Sequence, residues 1–143
     1  MGPTNAEIRA ALDRVIASEA LRSSPRLIAF LRFVVEATLR GERHLIKAYT
    51  IAVEALGRGA DFDASTDPIV RVEAGRLRRA LQRYYAGTTD PILIQIPLGR
   101  YIPEFRYRQD AIATTRKSFT RLLHHLRSWR QHLRASVQRL KPM

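Results

Sequence analysis

The stretch from Ser65 to Phe105, STDPIVRVEAGRLRRALQRYYAGTTDPILIQIPLGRYIPEF, decides how this chain folds. Asp67 can accept hydrogen bonds from the free amides at a helix start, and Pro68 suits the first helical position, where no backbone donor is needed. The stretch therefore predicts a helix over 67–85. Apolar residues recur in it at helical spacing and form one stripe for burial: Val70, Ala74, Leu77, Leu81 and Tyr84 or Tyr85.

Successive residues of a helix are about 100° apart around its axis. On this basis, the face opposite the stripe consists mostly of arginines, which surround small residues at its centre. It consists of Val72, Gly75, Arg76, Arg79 and Arg83, with Arg71, Arg78 and Gln82 on one flank. A solvated helix usually mixes charges on its outer face. Here the one acid after the cap, Glu73, falls near the edge of the stripe and is expected to be a local ion-pair partner. The face is expected to bind an anion, with a merely solvated helix as the alternative.

A β-hairpin is predicted directly after this helix. The β-branched run at 92–96, ILIQI, favours a strand. The sequence PLGR at 97–100 is typical of a turn, and a second strand is expected from Tyr101 to Phe105. Arg100 would then lie at the tip. A helix that presents arginines, followed by a hairpin with a basic tip, is the layout of a winged helix-turn-helix.

Three helices are predicted upstream. Asn5 can cap the first, from Ala6 to Leu21, and a Ser-Pro pair begins the second, an apolar core helix that stops at Gly41. The third, from Ile46 to Leu56, would be the positioning helix. Its start supplies three candidates for phosphate contacts: Lys47, Tyr49 and Thr50.

Several of these segments, in this order, are similar to a known bacterial module. The run VRVEAGRLRRALQRYY, followed by IQIPLGRYIPEF, resembles the end of the effector domain of OmpR/PhoB-type response regulators. Together with LRSSPRLIAFLRFVVEATLRGE and IKAYTIAVEALGR, it looks closer to the N-terminal winged-helix module of larger bacterial proteins with a membrane span and tetratricopeptide repeats. The resemblance covers Ala17 to Phe105.

This resemblance implies an α+β winged helix-turn-helix that binds double-stranded DNA. In OmpR-type domains, five positions that face DNA match residues of this chain: Arg71, Val72, Gly75, Arg76 and Arg78. The wing departs from the family pattern, since it has Leu98-Gly99-Arg100-Tyr101 where OmpR-type domains usually place glycine directly before the aromatic residue. The resemblance carries over no input signal.

The composition also indicates an anionic partner. The 143 residues include 25 lysines and arginines and 13 acids, which gives a net charge of +12. Hydrophobic residues make up 45% of the chain, which is enough for a core. Nucleic acid and an anionic membrane surface are the two candidates. Cysteine is absent, which excludes disulfides and thiol chemistry in this sequence and suits a reducing cytoplasm. No apolar run suggests a signal peptide or a membrane span.

A basic extension over 108–143 is expected to follow the DNA-binding domain over 1–107. Residues 106–143 include ten basic residues and one acid, so this segment contributes +9 of the net charge of +12. A helix is predicted from Ile112 to Leu140 by an apolar stripe: Phe119, Leu122, Leu126, Trp129, Leu133, Val137 and Leu140. The stripe favours dimerisation or packing on the domain, with DNA-backbone contact or membrane association as alternatives. His124, His125 and His132 are interpreted as surface histidines rather than metal ligands.

The sequence therefore predicts a cytoplasmic, nucleoid-associated bacterial transcriptional regulator, expected to form a homodimer through its C-terminal helix. It has no enzyme motif, and neither a cofactor nor a metal is expected. Arg71, Arg76 and Arg79 would contact base edges or nearby phosphates, and repression is favoured over activation. Arg78 and Arg83 would contact phosphates, and Arg100 would reach the adjacent minor groove or its backbone. The alternative is an interaction or membrane-surface protein that uses a winged-helix scaffold and a basic amphipathic tail.

Overall fold

A computed structural model describes residues 1–110, 116–117 and 119–124. The chain divides into two compact units, Met1–Arg108 and a second that begins at Gln109. The first unit combines helices with a small antiparallel sheet, which agrees with the predicted α+β class. Its elements, in order, are α1 (Asn5–Ala17), α2 (Pro25–Leu39), a 3-10 turn (Arg43–Leu45), α3 (Ala48–Thr50), a π-helical segment (Ile51–Ala55), α4 (Ile69–Ala86), β1 (Ile92–Gln95) and β2 (Glu104–Tyr107).

The first helix is capped by Thr4, so the prediction of Asn5 as its cap is wrong. The Thr4 hydroxyl accepts a hydrogen bond from the Glu7 amide at 3.2 Å, and the Glu7 carboxylate accepts one from the Thr4 amide at 2.8 Å. This reciprocal capping box satisfies two amides that have no partner inside the helix. The predicted extension to Leu21 is also wrong, because Ser18 has extended backbone and ends α1.

The second helix forms the centre of the core, as its apolar sequence predicts. Phe30, Leu31, Val34 and Val35 are all fully buried. The helix packs against α1, α4 and the π-helical segment. It ends close to Gly41, whose φ of 76° is a left-handed conformation that glycine adopts without strain.

The third predicted helix, from Ile46 to Leu56, is shorter than expected and only partly α-helical. Its regular turn, α3, continues at once into the π-helical segment, where the Leu56 amide donates to the Ile51 carbonyl at 3.1 Å. Ile51 and Ala52 are fully buried. The widened turn therefore packs into the core.

The fourth helix buries the predicted stripe of Val70, Ala74, Leu77, Leu81 and Tyr84, which confirms that prediction. Its start differs from the expectation by one residue, because Pro68 occupies the cap position instead of the first helical one. The Asp67 carboxylate still accepts a hydrogen bond from the Ile69 amide at 3.0 Å.

The two strands pair antiparallel from Ile92 opposite Tyr107 to Gln95 opposite Glu104. The second strand therefore lies over Glu104–Tyr107, and the prediction of Tyr101 to Phe105 is wrong at both ends. Tyr101 belongs to the connection between the strands, and its ring lies edge-on to Phe30 with centroids 6.1 Å apart. This contact accounts for the missed boundary, because it holds Tyr101 on α2 and outside the ladder.

The predicted turn over 97–100 is present. The Arg100 amide donates to the Pro97 carbonyl at 3.4 Å, and Gly99 has a φ of 81°. A positive φ at the third position is the requirement of a type II turn, which glycine meets without steric cost. The hairpin tip thus consists of Leu98, Gly99 and Arg100.

The second unit falls partly outside the described residues. Residues 116–117 and 119–124 are helical and lie within the helix predicted from Ile112 to Leu140. The part of the predicted apolar stripe that follows Leu122 lies outside the described residues, as do His125 and His132. Among the helices that the structure describes, none has the length and apolar character to cross a bilayer.

A buried carboxylate connects the first helix, the end of the fourth and the first strand. Asp90 is 7% exposed and precedes β1. Its two oxygens accept hydrogen bonds from the Arg14 guanidinium, each at 2.9 Å. The Tyr84 hydroxyl donates to it at 2.6 Å and the Ile92 amide at 3.1 Å. Burial alone would raise the pKa of Asp90, but these hydrogen bonds together hold it below its usual value.

We expect Asp90→Asn to lower the free energy of unfolding at neutral pH by about 1–3 kcal/mol, because Asn cannot pair with the Arg14 charge. A depressed folded-state pKa gives stability that is fully present above the unfolded-state pKa of about 3.9 and is lost as the pH falls through the folded-state pKa. The deficit of the variant should therefore shrink in acid. Urea unfolding across a pH series measures it.

The matched control is Glu36→Gln, which removes the partner of a more exposed ion pair between Glu36 and Arg9, 3.3 Å apart. It should change the free energy of unfolding by less than about 1 kcal/mol. A deficit of Asp90→Asn that stayed constant from neutral pH to acid would contradict the role given to this carboxylate.

Candidate nucleic-acid interface

The predicted arginine face is on the outside of α4. Arg71, Arg76, Arg79 and Arg83 are exposed. The opposite side of the same helix is buried in the core, and this burial determines which side faces solvent. At the centre of the face, the Val72 residue is 46% exposed, although it is apolar.

Three of these arginines have uncommitted side chains. Arg71, Arg79 and Arg83 form no ion pair and no side-chain hydrogen bond with any other residue that the structure describes. Each guanidinium therefore keeps its five donors for water or for a ligand. An anion that bound here would displace water and would not have to break an internal contact.

Arg76 is partly committed. Its Nη1 atom lies 3.0 Å from Oε1 of Glu73, whose side chain is 5% exposed, whereas the Arg76 side chain is 58% exposed. A buried carboxylate is costly unless it is paired, so Arg76 compensates Glu73. The predicted ion-pair role of Glu73 is thereby confirmed, and the exposed part of Arg76 remains on the outer face.

Arg78 is directed to the hairpin. Its Nε atom donates to the Ile96 carbonyl, and its Nη2 atom donates to the carbonyls of Pro97 and Arg100, each at 3.0 Å. Arg78 is half-buried. Three of its five donors are engaged within the protein, and the guanidinium lies between α4 and the turn. The structure therefore separates Arg78 from the arginines with which the sequence grouped it.

The hairpin tip presents one apolar and one basic residue. Leu98 is 86% exposed. The Arg100 side chain is 63% exposed, and its Nη2 atom lies 3.1 Å from Oε1 of Glu104. An exposed pair of this kind is worth at most about 1 kcal/mol, so Arg100 can exchange Glu104 for another anion at little cost.

The three candidates near the third helix differ in their availability. The Thr50 hydroxyl accepts a hydrogen bond from the Lys47 amide at 3.1 Å and donates to the Leu45 carbonyl, so it stabilises the start of α3. The Tyr49 hydroxyl donates to the Ala60 carbonyl at 3.1 Å. Lys47 is exposed, and its ammonium forms no ion pair with any other residue that the structure describes.

Sequence reasoning missed the role of Arg108. Its guanidinium donates to the carbonyl of Tyr85 in the last turn of α4 at 2.5 Å and to that of Thr88, just beyond the helix, at 2.6 Å. It also lies 6.0 Å from the centre of the Tyr85 ring. Burial raises the pKa of Tyr85, whose hydroxyl accepts a hydrogen bond from the Ile94 amide at 2.7 Å. No local pattern signals contacts between residues this far apart in sequence.

Within the part of the chain that the structure describes, no three histidine, aspartate or glutamate side chains lie close enough to hold a metal ion. No family model, curated protein or solved structure matches this chain. The function must therefore be argued from the chemistry of α4 and the hairpin.

Gly75 lies in the interior of α4, although the fold does not need a glycine there. A Cβ atom built on Gly75 would meet only Nη1 of Arg79, at 3.7 Å, which is an ordinary van der Waals contact. Glycine within a helix costs about 0.5–1 kcal/mol relative to alanine. Glycine at this position keeps this part of the outer face of α4 free of a side chain.

We expect Gly75→Ala to raise the free energy of unfolding by about 0.5–1 kcal/mol, because it restricts the unfolded chain and clashes with nothing. Chemical denaturation followed by circular dichroism measures the change. The control is Gly99→Ala at the hairpin turn, where a φ of 81° makes the same replacement unfavourable. A loss of stability in Gly75→Ala would mean that the fold itself requires the glycine.

Proposed function

We propose that this protein is a winged helix-turn-helix transcriptional regulator that binds specific sites in double-stranded DNA. The observation that carries the proposal is the outer face of α4, where three uncommitted arginines, Arg71, Arg79 and Arg83, surround Val72 and Gly75. In this proposal α4 is the recognition helix and lies in the major groove.

The dimensions and chemistry of this face suit base reading. The major groove admits one α-helix, and an arginine can donate two hydrogen bonds to the O6 and N7 atoms of guanine. A centre without long side chains allows the helix axis to approach the base edges closely, and Val72 offers an apolar contact to a thymine methyl group. Arg71 and Arg79 are assigned to base edges or nearby phosphates, and Arg83 to a phosphate.

The surrounding elements are assigned to the DNA backbone and the next groove. The hairpin, with Leu98 and Arg100 at its tip, is the wing and would reach the adjacent minor groove. Lys47, at the start of the positioning helix, is available for a phosphate. Tyr49 and Thr50 already have internal partners and are assigned lesser roles, while Arg76 is shared between Glu73 and the DNA.

We favour repression as the regulatory mode. Occupation of an operator, and hence repression, is the simplest mode for a domain of this kind, and a nucleoid-associated position in the cytoplasm goes with it. The net charge of +12 adds sequence-independent attraction to DNA, which weakens with salt. Base contacts are needed in addition for the proposed specificity.

The test is a selection from a randomised duplex pool at near-physiological salt, followed by affinity measurements across a salt series. The native protein should enrich a motif. Arg71→Ala with Arg79→Ala should abolish the preference for this motif over random DNA, since each lost base contact costs about 1–3 kcal/mol. Arg76 is left intact because its removal would leave the buried carboxylate of Glu73 unpaired.

The control is Arg26→Ala with Arg32→Ala, which removes the same charge from exposed positions on α2. It should weaken all DNA binding modestly and keep the preference for the motif. If the native protein enriches no motif and its binding collapses as salt rises, charge alone attracts it to DNA, and the proposed specificity is wrong.

A second prediction concerns the small centre of the face. Gly75→Gln should fold normally, because the position opens outward, but its longer side chain should hold the helix away from the base edges. We expect at least a tenfold loss of affinity for the selected motif, about 1.4 kcal/mol, with a smaller loss for random DNA. Unchanged motif affinity would show that α4 does not approach bases at Gly75.

A further inference from the structure

All hydrogen bonds that the structure describes between α4 and the hairpin turn come from a single side chain in the middle of α4. The Arg78 guanidinium donates to three backbone carbonyls of the hairpin, those of Ile96, Pro97 and Arg100. These carbonyls lie on both sides of Leu98 and Gly99. One planar group therefore joins the two ends of the turn to the helix.

Ile96 and Tyr101 pack on the core, so the part of the connection with few other restraints is the exposed tip, Leu98 to Arg100. The last paired residues of the two strands are Gln95 and Glu104, so the residues between them lie outside the ladder. The hydrogen bond of the turn itself, from the Arg100 amide to the Pro97 carbonyl, is 3.4 Å long and hence weak. Without Arg78, the carbonyls at the base of the tip would depend largely on water.

We propose that Arg78 is a positioning residue that sets the distance between the arginine face of α4 and the hairpin tip, so that both engage one DNA duplex. This inference rests on the proposed function. Arg78 acts through the hairpin and does not itself contact DNA. The residues that it positions are Leu98 and Arg100, both exposed at the tip.

Arginine is the side chain that suits this task. Its five donors lie in one rigid plane, which allows Nε and Nη2 to bind carbonyls from different residues at the same time. Lysine carries the same charge but concentrates it in one ammonium group on a flexible chain. Arg78→Lys therefore removes the planar set of donors that binds the hairpin carbonyls. It keeps the positive charge that a simple phosphate contact would use.

The experiment is a double-mutant cycle on affinity for the selected motif. In the native background, Arg100→Ala should weaken binding about 5- to 10-fold, the low end of what a lost DNA contact costs. In the Arg78→Lys background, the wing is no longer held in place, so Arg100→Ala should change affinity by less than about twofold. Arg83→Lys, also on α4, is the matched control, and the full effect of Arg100→Ala should persist in it.

Two results would overturn the positioning role. An unchanged effect of Arg100→Ala in Arg78→Lys would mean that Arg78 contributes only to stability, or that it contacts DNA independently of the wing. The second measurement uses the native protein, in case Arg78→Lys does not fold. The Nε–H signal of Arg78 in a ¹⁵N NMR spectrum should exchange slowly with water and stay in place when DNA is added, whereas the Arg79 signal should shift. A shift of both signals on DNA binding would identify Arg78 as a DNA contact.

The outcomes separate the two proposals. If the native protein binds no DNA motif, the proposed function fails and the DNA role of Arg78 fails with it. If the native protein enriches a motif but the Arg100→Ala effect persists in Arg78→Lys, only the positioning role fails.

Discussion

Burial of one side of α4 is the constraint on which the rest of this structure depends. Leu77 and Ala74 are fully buried, and α4 packs against α2, β1 and the π-helical segment. Once that side is buried, the 3.6-residue period of the helix leaves the arginines facing outward. The candidate interface is thus a geometric consequence of how the core is built.

The elements of the fold could be largely predicted from local sequence, and their ends could not. The apolar periods of α2 and α4 and the turn at Gly99 all correspond to what the structure contains. Some errors are local, such as the missed Thr4–Glu7 capping box. Others occur where a contact between distant residues overrides a local pattern, as when Tyr101 packs on Phe30 and so leaves the strand. The π-helical segment is a similar case, since its first two residues, Ile51 and Ala52, are buried in the core and no local sequence rule signals the widened turn.

The same distinction applies to the candidate site. A helical wheel is sufficient to place Arg71, Arg79 and Arg83 outside, because their exposure depends only on which side is buried. It cannot separate Arg78 from them, because the partners of Arg78 are carbonyls 18 to 22 residues further along the chain. Charge and spacing therefore identified the surface, while the division between free and committed arginines needed three-dimensional contacts.

The contact between Arg14 and Asp90 has a consequence for the extent of the folding unit. The winged-helix module expected from the sequence begins at Ala17, yet Arg14, Ile8 and Leu12 lie before it, and the latter two are core residues. A fragment cut at that point would leave Asp90 without its guanidinium and open the core beside β1. The smallest autonomous domain therefore includes all of α1 at one end and Arg108, which holds the last turn of α4, at the other.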